Sequence, residues 1–459
     1  MNLWQISIYG GKYPNDTYGI GNNGDVPCYS SLSLNVSDNY SMINGNCIDS
    51  PPRVDIILIK RQVYKKGNNM TKHKLTLAIL LLNLFIAFLG IGLVIPVTPT
   101  IMNEMNLTGS VVGYMVATFA LAQLLVSPIA GRWVDRFGRK IMIVIGLLIF
   151  SISEFLFGSG KTVEVLFISR MLGGVSAAFI MPAVTAFIAD ITTNQTRPKA
   201  LGYMSAAIST GFIIGPGIGG FLAEIGTRLP FFFAAGFGLI ATILSIFTLR
   251  EPERNPENEE VAGQQTGFKR VFAPMYFLAF MVILISSFGL AAFESLFALF
   301  VDHKFGFTAQ DIAILITGGA IVGAIIQVVL FDRFTQWFGE IRLIRYSLIL
   351  STILVFLLTI VSSYFMILLV TMTVFIGFDL VRFAATTYLS KIAGNEQGFV
   401  GGMNSMFTSI GNILGPIIGG ILFDIDLNYP FYFATLTLAI AIGLTFAWKM
   451  PTHLKKGVH

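Results

Sequence analysis

From Leu75 onward the chain is a succession of apolar runs parted by short polar punctuation. Each run reaches the roughly 20 residues that a helix needs to cross about 30 Å of hydrocarbon. Helices are predicted over about 75–97, 110–133, 139–158, 163–189, 200–224 and 229–249, and again over 273–301, 309–337, 342–361, 364–390, 398–423 and 430–449. Between the sixth and seventh lies Arg250 to Arg270, a charged stretch with Pro252, Pro256 and the acidic residues Glu257, Glu259 and Glu260, which reads as a flexible soluble linker. The pattern predicts an all-α membrane protein of two six-helix bundles, 70–249 and 272–450, joined by a linker over 250–271 and followed by a tail over 451–459.

Residues 1–69 break the pattern. They are rich in Gly, Asn, Tyr and Ser, and their one apolar run, Val54 to Ile59, is too short to span. They read either as an accessory cytoplasmic segment or, the reading favoured here, as a disordered or non-native extension with translation starting at Met70: Lys65-Lys66-Gly67 can be encoded by a purine-rich run placed as a ribosome-binding site.

Composition agrees with lipid as the solvent. Of 459 residues, 54% are hydrophobic and 12% charged, where soluble chains carry about a quarter charged. The net charge of +5 is explained by topology rather than nucleic-acid binding. One set of alternate loops holds Arg132, Arg136, Arg139, Lys140, Arg197, Lys199, Arg250, Arg254, Lys269, Arg270, Arg333, Arg342, Arg345 and Lys391; the other holds Lys161, Arg228 and Lys304. By the positive-inside rule the first set, the linker and both termini are cytoplasmic. Both cysteines, Cys28 and Cys47, precede the apolar body, which therefore can form no disulfide and no thiolate metal site.

The halves repeat. Gly211, Gly215, Pro216, Gly219 and Gly220 recur as Gly411, Gly415, Pro416, Gly419 and Gly420, displaced by 200 residues, and Pro230 to Ala234 matches Pro430 to Ala434. Parallel repeats predict a substrate site between the halves near mid-membrane and alternating access by rocking. Glycines at helical spacing let membrane helices approach backbone to backbone, so these runs suit pivots, seals or plain packing.

The stretch Gly131-Arg132-Trp133-Val134-Asp135-Arg136-Phe137-Gly138-Arg139-Lys140 resembles the signature between helices two and three of the major facilitator superfamily. The helix-five glycine run resembles that family's antiporter motif, and Arg170 followed by Gly173 and Gly174 fits its helix-four pattern. The resemblance covers Met70 to about Lys449 and is to the bacterial drug-proton antiporters of the family. It implies a monomeric transporter in the bacterial inner membrane that expels amphipathic, often cationic, drugs in exchange for protons. It also implies that Asp135, with Gly131, Arg136, Gly138 and Arg139, gates the cytoplasmic side across the seam between the halves. Arg382-Phe383-Ala384 stands where those relatives have Arg-Pro-Ala, which predicts a straighter helix ten.

Glu154, Arg170, Glu294, Asp379 and Arg382 fall inside predicted spans, where a central charge costs at least about 2.5 kcal/mol, so function is the default reading. Glu294, with Phe297 one turn away, is expected in an aromatic, desolvated setting; it then holds either a proton or a drug cation. Asp379 and Arg382 are three apart on one face and are expected to pair, as a proton-linked switch or as a static pair that orders the helix. The resemblance associates Glu294 and Asp379 with proton coupling. It places Arg170, Gln123, Phe88, Phe119 and Phe212 along a drug-binding cavity, where aromatic rings attract flat cations. Glu154, on helix three, is expected to be structural.

No nucleophile-base set, phosphate-binding loop or metal cluster is legible, so neither a cofactor nor catalysis is expected. The alternatives are a proton-coupled exporter of one metabolite, such as a polyamine or sugar, and a membrane sensor or embedded enzyme.

Overall fold

A computed structural model of the chain describes residues 5–6, 32–33, 56–193, 195–252, 274–393 and 397–448. The predicted linker beyond Pro252, the tail over 451–459 and most of the extension over 1–69 lie outside the described residues. The chain forms two compact units, Met1–Asn68 and Asn69–His459. In the first, β1 (Gln5–Ile6) pairs antiparallel with β2 (Leu32–Ser33).

Among the described residues of the second unit, every regular element is a helix. Span one is the end of α1 (Ile56–Val94), a 3-10 turn at Ile95–Val97 and α2 (Thr98–Glu104). Pro96 and Pro99 remove two backbone donors there, so the predicted helix tightens into a 3-10 turn and resumes instead of stopping at 97. Spans two to six are α3 (Gly109–Phe137), α4 (Arg139–Ser159), α5 (Val163–Ile191), α6 (Arg197–Ile225) and α7 (Leu229–Thr248). Spans seven to twelve are α8 (Pro274–Phe305), α9 (Ala309–Phe338), α10 (Glu340–Leu358), α11 (Tyr364–Ala393), α12 (Gln397–Ile425) and α13 (Tyr429–Ala447). All twelve are long and apolar enough to cross a membrane. Gly138, at φ 102°, and Gly339, at φ 72°, make the sharp junctions α3–α4 and α9–α10 in a backbone region that a side chain disfavours.

The repeated glycines seat helices inside each half. A Cβ on Gly215 would lie 2.7 Å from the Leu89 carbonyl oxygen and 2.8 Å from Gly92 Cα, so α6 rides directly on the α1 backbone. Gly415 repeats the contact, with Phe288 O at 2.5 Å and Ala292 N at 2.9 Å, placing α12 on α8. The glycine run predicted as a gate is thus first a packing seam within each half. Gly215→Leu is expected to destabilise the fold by about 3 kcal/mol or to prevent folding, because backbone atoms cannot give way; thermal denaturation in detergent measures it.

Between the halves, α3 lies along α12 and α6 along α9. At the end where α3 begins and α12 ends, the contact is tight. A Cβ on Gly420 would sit 2.6 Å from Gly109 O, and one on Gly220 would sit 2.5 Å from Ala313 Cβ. The Asp424 carboxylate accepts from the Gly109 amide at 2.6 Å, from the Ser110 amide at 3.0 Å and from the Ser110 hydroxyl. Asn103 Nδ2 donates to Asp302 at 2.9 Å across the same seam. At the opposite ends of these helices, a Cβ on Gly131, Gly202, Gly401 or Gly402 would meet nothing within 4 Å. The halves are sealed at one end and part at the other.

Candidate functional site

The helices of the second half gather three ionisable groups. On α11 Arg382 Nη2 donates to Asp379 Oδ1 at 2.7 Å, as the three-residue spacing predicted. Glu294 on α8 lies within electrostatic reach of both. Gly323 of α9 backs the site, since a Cβ there would lie 3.2 Å from Asp379 Oδ2. The Glu294 side chain is exposed, and the Arg382 side chain is 63% exposed, so the cluster lines open interior space instead of a packed core.

Phe297, one helical turn from Glu294, is buried. It turns with Phe293 into the core of the second half, with ring centroids 5.4 Å apart, and both meet Phe375 at 6.0 Å. Their burial, 0% for Phe293 and 1% for Phe297, leaves Glu294 on the open edge of that aromatic face. The α11 helix runs unbroken through Phe383, which sits edge-on to Phe331 at 6.3 Å. Arg382 lies 5.2 Å from the centre of the Phe383 ring.

Two carboxylates and one guanidinium give this cluster one net negative charge when both acids are ionised. The charge count is such that one added proton or one monovalent cation would neutralise it.

The first half contributes aromatic surface and two further ionisable residues. Phe88 and Phe212 meet edge to face at 5.1 Å, with Phe212 exposed. Phe119 leans on α5, its ring 3.1 Å from the Cβ position of Gly173, and the Gln123 amide nitrogen lies 3.1 Å from that of Gly174. These two residues therefore lie where α3 meets α5. Arg170 does not reach for the Glu294 cluster: its guanidinium sits 4.1 Å over Phe157, and it interacts electrostatically with the buried Glu154. An apolar cleft of about 270 Å³ opens between α6 and α9, with Gly217, Phe221 and Ala313 in its wall, and none of its lining residues is charged.

The signature at the α3–α4 junction is organised around Arg139, which is 8% exposed. Its Nε donates to Asp190 of α5 at 2.8 Å, its Nη1 to Val134 O at 3.3 Å, and its Nη2 lies 3.5 Å from Asp135. Glu251, just past α7, caps α4 by accepting from the Arg139 amide at 2.6 Å and the Lys140 amide at 2.8 Å. These bonds join residues of the first half. The second half carries a counterpart of opposite polarity: buried Glu340 at the start of α10 pairs with Lys391 at the end of α11. Asp190, Glu251, Glu340 and Asp424 were missed in the sequence because each lies near a helix end, where a charged residue is ordinary; only its distant partner marks it.

The match to known proteins covers both halves. The Major Facilitator Superfamily model matches residues 80–394 and 279–458. Multidrug resistance protein 1 of Bacillus subtilis is 83% identical over 386 residues, 84% of this chain and 99% of that protein. Quinolone resistance protein NorA of Staphylococcus aureus is 45% identical over 78% of this chain and 92% of its own length. Among solved structures, a bacterial homologue of the human lysosomal transporter Spinster, inward-facing and unoccupied, superposes with a TM-score of 0.72 at 18% identity, over 82% of this chain and 97% of that one. The nucleoside transporter NupG gives 0.63 at 15%, over 81% and 98%. Twelve spans, two halves repeated at 200 residues, the α3–α4 signature and these relatives give one conclusion: the chain is a multi-pass membrane protein of the Major Facilitator Superfamily.

Proposed function

We propose that the protein is a proton-driven multidrug efflux transporter that exports amphipathic, often cationic, drugs by alternating access. The observation that carries this is the cluster of Glu294, Asp379 and Arg382, whose net charge one proton or one drug cation neutralises. Similarity to proteins named for multidrug and quinolone resistance supports the drug class. Phe88 and Phe212 supply non-directional aromatic contacts, which tolerate many flat substrates. Proton exchange follows the charge count: drug leaves when protons entering from outside replace it at the carboxylates.

The loop charges support an orientation in a bacterial inner membrane with both termini and the α3–α4 signature on the cytoplasmic side. The sealed end, where Asp424 of α12 accepts from the first amides of α3, is then the outer face, and the open end faces the cytosol, where drug enters. Released from the seal, Asp424 leaves the α3 amides uncapped, because Thr108 makes no side-chain cap of its own. By contrast, α9 carries a complete capping box from Thr308 and Asp311. The transporter acts as a monomer and its functional unit begins near Met70, in keeping with the compact unit Asn69–His459.

Asp424→Ala is expected to weaken the outer seal by about 1 kcal/mol, the worth of a helix cap. With Cys28 and Cys47 replaced by serine, labelling of a Thr108→Cys probe by an impermeant thiol reagent then rises about fivefold. Labelling equal to that of the Asp424 protein argues against the latch. The function itself is tested by drug transport into liposomes under an imposed proton gradient.

A further inference from the structure

The charges the cluster leaves unused are Glu154 on α4 and Arg170 on α5. Glu154 is 3% exposed, and its Oε2 has no donor; Arg170 Nε and Nη2 are likewise buried without an acceptor. Both groups are costly in an apolar bundle, yet they do not close into an ion pair. The guanidinium lies over the Phe157 ring at 4.1 Å, and Phe157 is held in place by stacking on Phe231 of α7 at 4.7 Å.

Beside the pair, the two backbones are clamped. Ser153 donates to Ser169 O and Ser169 donates to Ser153 O, both at 2.8 Å. Glu154 and Arg170 are the next residues along, so any change in their pairing is made by side chains and not by parting of α4 and α5. From α5, Arg170 is the charge that acts on Glu154. The neighbouring α7 brings Phe231, and α3 brings the Phe119 ring, which packs at the Gly173 Cβ position, 3.2 Å from which lies the Ser153 hydroxyl. The arginine therefore has two alternative seats, one aromatic and one anionic, and the second is empty.

We propose that Glu154 is a protonation-linked positioning residue for Arg170. Carrying its proton, Glu154 leaves the guanidinium on Phe157. When the proton passes to water, the carboxylate draws Arg170 off the ring into an ion pair, and reprotonation from water returns it. An ionised acid without a close partner is the costly state here, so proton and arginine alternate at Glu154. The first half thereby gains its own proton-dependent element, distinct from Glu294 and Asp379.

This inference rests on proton-driven transport, so the test separates the two. Full-length protein in liposomes is assayed for ethidium transport across a range of pH, as wild type, Glu154→Gln, Glu154→Asp and Phe157→Leu. Glu154→Gln is expected to slow transport about tenfold at the wild-type optimum and to flatten the pH profile, while Glu154→Asp keeps its shape. Phe157→Leu removes the aromatic seat, favours the ion pair and moves the profile to lower pH. A coupled wild type with unchanged profiles in Glu154→Gln and Phe157→Leu overturns the inference alone; a wild type with no response to the proton gradient sinks the transport reading itself. If Glu154→Gln fails to fold, Phe157→Leu decides.

Discussion

Glu294→Gln is expected to abolish drug accumulation driven by a proton gradient, lowering it to the level of protein-free liposomes. Glutamine keeps the size and the hydrogen-bonding groups of the side chain but cannot exchange a proton. Each proton moving down a gradient of one pH unit supplies about 1.4 kcal/mol, a tenfold accumulation, and the variant forfeits whatever share passes through this site. Because the side chain is exposed and outside the Phe293–Phe297 core, the fold tolerates the change. A normal melting temperature with no driven transport is therefore the expected pair of results. Retained accumulation would show that Glu294 is not on the proton path.

Asp379→Asn should be comparably severe for a different reason. It strips Arg382 of its 2.7 Å partner and leaves a cation facing the route of cationic drugs. Wild type offers a cluster with one net negative charge; the variant offers a neutral one that becomes positive when Glu294 takes a proton. Transport of ethidium is expected to fall by about a hundredfold, the loss of one attractive charge about 6 Å from a cationic guest at an effective dielectric constant of about 20. Asp379→Asn combined with Arg382→Gln removes the stranded cation. The double variant is expected to regain ethidium binding, measured by fluorescence, without regaining proton-driven transport. Binding losses that simply add would mean that the pair is not a unit.

Much of this architecture was legible in the chain. Apolar runs of membrane-crossing length placed every span, because in lipid a backbone must satisfy itself and the hydrophobic stretch is the element. The 200-residue repeat anticipated that Gly215 and Gly415 make the same contact with different partners. The Asp379–Arg382 pair followed from helical spacing alone. What stayed hidden are the contacts that depend on a distant partner. Phe297 shares a helix turn with Glu294, but Phe375, which draws it inward, is 78 residues further along the chain. Arg170 lies beside Phe157 and Glu154 only once α4 and α5 pack. The Asp424 seal joins residues 314 and 315 positions apart, and no local pattern distinguishes Asp424 from an ordinary loop acid.

The central claim, that one interior charge cluster trades drug cations for protons, is tested most directly by proton movement on drug binding. Purified protein in weakly buffered detergent solution is mixed with a cationic drug such as ethidium, and the released protons are read with a pH-sensitive dye. The account predicts release from wild type near neutral pH and its loss in Glu294→Gln with the fold intact. Saturable ethidium binding with no proton release at any pH would contradict it.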